Sequence, residues 1–173
     1  MIEILKHVTT LLKSLSSSAV TFATADNSIA ATGIGTAFPA GKKIVVSGAA
    51  QAGNNITFTV VSATSGKIIV SETVTAESAG AAVVINEEYQ SGYVQVFDMD
   101  KIVGHINSSQ NCTVYLDFSG DKSNAYTIDV GVAGGVAAPI DQSVKASYLQ
   151  VRIRNGGTDQ TTMEAFIYGQ KGA

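Results

Sequence analysis

After Thr24, apolar residues recur at every second position in short runs, and each run is broken by Gly, Asn, Ser or Ala. Alternate residues of an extended chain point to opposite faces, so this period belongs to half-buried strands and not to helices, whose faces repeat near every third or fourth residue. In Ile56–Val61, for example, Ile56, Phe58 and Val60 fall on one side while Thr57 and Thr59 fall on the other. The spacing predicts strands at Ile44–Ser47, Ile56–Val61, Ile68–Ser71 and Ala82–Ile85. A second set follows at Tyr93–Phe97, Ile102–Ile106, Thr113–Phe118, Tyr126–Val132, Ser143–Ala146, Tyr148–Arg154 and Thr161–Tyr168. Many short strands at even spacing are the pattern of an all-β protein. Turn chemistry between them comes from Pro39-Ala-Gly41 and Ala52-Gly-Asn-Asn55.

Before this region the pattern differs. Ile4, Leu5, Val8, Leu11, Leu12 and Leu15 stand at helical spacing and predict an amphipathic helix of about three turns. So short a helix is marginal alone, and its stripe of Leu5, Val8, Leu12 and Leu15 is a candidate attachment or assembly interface. The expected organisation is an N-terminal short helix within residues 1–20, a small antiparallel β domain over 21–87, and a β-sandwich of jelly-roll type over 88–173. In Tyr148–Arg154, Leu149, Val151 and Ile153 are expected inside and Arg152 and Arg154 outside, which makes the two arginines a second candidate interface.

Composition limits the function classes. Only 14% of the 173 residues are charged, against roughly 25% in an ordinary soluble domain, so Ser, Thr, Asn and Gln must cover much of the surface. A net charge of −3 offers no attraction for phosphate backbones, and nucleic acid is not an expected partner. The single cysteine, Cys112, rules out an intrachain disulfide or a cysteine metal cage. The sequons at Asn55, Asn107 and Asn111 are read as chance matches. Lys13, the run Ser16–Ser18 and Glu3 argue against reading the first residues as a cleaved signal, and no apolar run reaches the roughly 20 residues that a membrane-spanning helix needs.

No catalytic constellation emerges. His7 and His105 each lack a nearby Cys, His or carboxylate pattern, whereas a triad or a metal set requires one. Cys112 has no paired base in sequence. Asp98 and Asp100, with Glu87 and Glu88 nearby, have the residue types of a glycosidase pair, but Asp98-Met-Asp100 reads as a turn. The loop 117–124 offers oxygen ligands but departs from the EF-hand order, and Gly33-Ile-Gly35 and Gly131–Gly135 lack the residues that complete a phosphate loop. A non-enzymatic protein without metal or cofactor is expected.

Several segments form a familiar set. Phe38–Gly48, Asn55–Val61, Gly66–Glu72 and Glu77–Ile85 together resemble a small β module of tailed-phage virion proteins. Gly104-His-Ile106, Cys112–Ser119 and Tyr148–Thr162 are similar to a trimerising β-sandwich of phage structural proteins. The resemblance implies a capsid decoration, or cement, protein that stabilises the head as a homotrimer. It implies the major capsid protein and other copies of this chain as partners, and the virion, assembled in the bacterial cytoplasm, as location. The alternative it leaves is a glycan- or receptor-binding jelly roll of a tail fibre, with Tyr93, Tyr115 and Tyr148 available for sugar stacking.

Overall fold

The structure, a computed structural model, describes residues 2–8 and 10–172, with Lys6, His7 and Val8 described by their backbone. It is built of antiparallel strands with one single-turn helix, Ile34–Ala37 (α1), and a short 3-10 turn at Ala52–Asn54. The protein is all-β. Among the described residues no helix is long and apolar enough to cross a membrane.

The chain forms two units that share it in alternation. One comprises Met1–Leu11, Gln90–Gly156 and Gln160–Ala173, and the other Leu12–Tyr89 with Gly157–Asp159. The expected N-terminal segment 1–20 is therefore not a separate piece.

Nor is it a helix. Ile2–Val8 is a strand (β1) that pairs antiparallel with Met163–Gln170 (β15), and the ladder is irregular between Glu3 and Leu5 and again between Leu5 and Val8. A bulge places consecutive residues on one side of a strand, and Ile4 and Leu5 are both buried. Two interruptions thus turn a period of two into a spacing that imitates a helix face.

In the first unit, β15 lies between β1 and Lys101–Ser108 (β10), which in turn pairs with Ala138–Ser143 (β13). A second sheet holds Ala125–Val132 (β12), Cys112–Ser119 (β11), Tyr148–Asn155 (β14) and the two-residue strand Val94–Gln95 (β9). The links β10 to β11, β12 to β13, β13 to β14 and β14 to β15 each pass from one sheet to the other. Leu116, Phe118, Leu149, Val151, Ile153, Ile102, Ile106 and Ile167 are buried, each worth about 2 kcal/mol of transfer from water.

In the second unit, Val83–Gln90 (β8) pairs with Ser14–Ser17 (β2) and with Lys43–Ser47 (β5). The order continues through Thr57–Thr64 (β6), Lys67–Val70 (β7), Ser28–Ala30 (β4) and Thr21–Ala23 (β3). Its core joins Ile34 and Phe38 of the α1 region to Ile44, Phe58, Ile68 and Ile85 of the strands. Polar side chains tie down the turns: Glu77 accepts hydrogen bonds from the backbone N–H of Ala50 (2.8 Å) and Gln51 (3.0 Å), and buried Asn54 binds both the N–H and the carbonyl of Thr75.

Candidate functional site

The N-terminal residues expected to form an interface are spent on packing. Leu5 is buried in the first unit and Leu12 in the second, and Leu15 packs half-buried against the second unit's core. Val8 pairs with Ala165 through its backbone in β1, and its side chain lies outside the described residues. The helix inferred from this spacing does not form: Leu5 and Val8 lie in β1, Leu12 in the connecting chain after it, and Leu15 in β2.

Strand β14 carries the expected inner residues, with Leu149, Val151 and Ile153 fully buried. Opposite faces of its neighbours set the surroundings of the arginines. The register pairs Tyr115 with Arg152 and with Asp129, Asp117 with Gln150 and with Thr127, and Thr113 with Arg154. Residues paired across an antiparallel ladder share a face, so these side chains form one polar surface.

Arg152 is not a free outward charge. Its Nε donates to Asp117 at 2.5 Å and its Nη2 at 3.0 Å, while the Thr127 hydroxyl donates to the same carboxylate at 2.6 Å. Both guanidiniums also lie over the Tyr115 ring, Arg152 at 4.6 Å and Arg154 at 4.9 Å from its centre. Sequence reasoning placed the arginines on the right face and missed this carboxylate, since the register that brings Asp117 beside Arg152 is a tertiary property. Two of the three tyrosines available for sugar stacking are similarly engaged: Tyr115 by the arginines, and Tyr148 by Lys122, whose ammonium stands 4.4 Å from its ring centre.

Burial pushes the Asp117 carboxyl up, but hydrogen bonds from Arg152 and Thr127 and the arginine charge overcome this and hold it below its ordinary value of 3.8. The fold therefore favours the ionised form. Its contribution to stability is complete above the ordinary carboxylate range and is lost as pH falls through the depressed folded value. Asp117→Asn should cost about 2 kcal/mol at neutral pH through lost charge-assisted bonds. Urea unfolding curves of the variant and the parent should converge as the pH is lowered below 4; parallel curves across that range would assign the acid sensitivity elsewhere.

The other titratable candidates stand apart. His105 is exposed on β10 with its ring 5.1 Å from that of Phe166. Cys112 is buried, which pushes its thiol pKa up despite a hydrogen bond with Ser108 and leaves it a poor nucleophile. Asp98 and Asp100 are exposed turn residues, whereas Glu87 is buried in β8 and paired with Lys42 at 2.6 Å. In the hairpin between β11 and β12, Asp121 accepts from the backbone N–H of Ser123 and Asn124 and from the Ser119 hydroxyl, at 2.8 to 3.0 Å. Its carboxylate closes a turn. Among the described residues no group of three or more His, Cys, Asp or Glu is placed to hold a metal ion.

Among the strands that end a sheet, β1, β3, β12 and β13, the longest is β12. β12 ends its sheet and, among the described residues, pairs with β11 alone, over all eight positions without a bulge. It contains neither Pro nor Lys, the usual devices that block pairing at an exposed edge. Its inner-face residues should be core, because their partners Val114, Leu116 and Phe118 are buried; yet Tyr126 is 62% exposed, and Ile128 and Val130 are only half-buried. This strand presents both open main-chain groups and apolar side chains.

Fold and surface together define an all-β protein of two antiparallel units, with its open surface at a sheet edge. The chain belongs to the family described as "Uncharacterised protein YqxG N-terminal domain", whose model matches residues 58–167. Neither the curated proteins nor the solved structures contain a match to it.

Proposed function

We propose that the chain is a structural component of a tailed-phage virion, a decoration protein that reinforces the head by binding the major capsid protein and copies of itself. The single observation that carries an assembly role is the β12 edge, eight residues in unbroken register with Tyr126 exposed beside Ile128 and Val130. Such an edge is a template for another strand, and a protein that works in an assembly keeps it covered there. The virion context rests on the resemblance of Phe38–Gly48, Cys112–Ser119 and Tyr148–Thr162 to phage modules. Repetition of weak contacts over a lattice supplies the affinity.

Particles purified with and without this chain test the reading. Heads carrying it are expected to show added surface density in negative stain and to resist heat better than bare heads. Its absence from washed particles would overturn the virion assignment.

A further inference from the structure

We infer that β12 pairs antiparallel with β12 of a second copy, about a two-fold axis at Ile128. The inference deepens the assembly reading of this edge and does not depend on the virion context.

The argument begins with the side chains the strand leaves uncovered. Along its inner face Val132 is buried, Val130 and Ile128 are half-buried, and Tyr126 is exposed. Across the ladder on β11, the matching residues Cys112, Val114, Leu116 and Phe118 are all buried. The core face of this sheet thus runs out along β12 before its apolar residues do. One more strand, with apolar residues at matching positions, would complete it.

The strand itself has that pattern. With Ile128 opposite Ile128 of the second copy, Tyr126 falls opposite Val130 and Thr127 opposite Asp129. The inner face then gains an isoleucine pair and two aromatic pairs with a β-branched residue, a favoured cross-strand combination. On the outer face each Asp129 meets a threonine hydroxyl. Moving the axis to Asp129 sets two carboxylates face to face, which is unfavourable, and moving it to Val130 places Tyr126 opposite Gly134. Ile128 also lies near the middle of Ala125–Val132, so this register engages nearly the whole strand. A strand whose polar and apolar positions match their own reverse order suits an isologous contact. The main-chain groups of both edges are satisfied at the same time.

Light scattering and disulfide cross-linking of the full chain test this. The parent chain should show about twice its 17.8 kDa mass at micromolar concentration. Tyr126→Lys, at a largely exposed position, should return the mass to that of one chain while leaving the circular dichroism spectrum unchanged. Ile128→Cys should cross-link to a covalent dimer under mild oxidation. Val130→Cys, which faces Tyr126 in this register, should not, and neither should the parent, whose Cys112 is buried. A single-chain mass for the parent overturns the proposal and points to a strand from a different protein. So does a larger assembly in which Ile128→Cys fails to cross-link, or in which Val130→Cys links equally well. Each of these outcomes is independent of whether the chain is found in a particle.

Discussion

Val151→Asp is expected to unfold the first unit. Val151 has no exposed surface, sits mid-strand in β14, and is paired with fully buried Leu116 on β11. An aspartate there must either bury an unpaired charge or take up a proton at the cost of its hydration. The loss should be about 4 kcal/mol or more, among the largest single-site effects, against about 2–3 kcal/mol for the cavity left by Val151→Ala. Urea titration followed by circular dichroism measures both. The aspartate variant should lose its unfolding baseline at neutral pH, and an aspartate variant no weaker than the alanine variant would mean that this site reaches water.

The second large effect is expected at Gly48. Its φ of +79° lies where L side chains are strained, and a Cβ would fall 2.3 Å from the carbonyl oxygen of Ala82. Backbone cannot move aside as a flexible side chain does, so Gly48→Ala should destabilise the second unit by about 3 kcal/mol. Gly41 separates the two causes: its φ is +87°, but nothing lies within 4 Å of a built Cβ. Gly41→Ala should therefore cost about 1 kcal/mol, the backbone penalty alone. Equal melting-temperature losses for the two variants would show that the close approach of Ala82 to Gly48 relaxes at little cost.

How much of this was legible in the sequence varies with the regularity of each element. β14 alternates without interruption, and both its span and its buried residues Leu149, Val151 and Ile153 follow from the pattern. β1 was misread because bulges disturb its period. The three-residue strands β3 and β4 are too short for any periodicity to register. β13 contains Pro139, which reads as a breaker, although at the end of its sheet the missing N–H costs no ladder bond that an inner strand would need. The strand expected at Ser143–Ala146 falls mostly on connecting chain.

The candidate site was less legible. An exposed edge is defined by which strands fail to find a neighbour, and Ala125–Val132 looks in sequence like any other strand of the set. The alternation of Tyr126, Ile128 and Val130 signals burial, and only the sheet order shows that the unit does not supply it. In the same way, Asp117 and Arg152 are 35 positions apart and meet through register alone.

The pairing of β1 with β15 joins Ile2 to Gly169 and Val8 to Ala165. Closing so long a loop carries an entropic cost that only the finished ladder repays. On a ribosome, the second unit has all but Gly157–Asp159 of its residues once Tyr89 has emerged, so it is equipped to organise early. The first unit must hold β1 in reserve until β15 has been made. During that interval β1, with Ile4 and Leu5 not yet covered, is the segment most in need of protection from unproductive pairing.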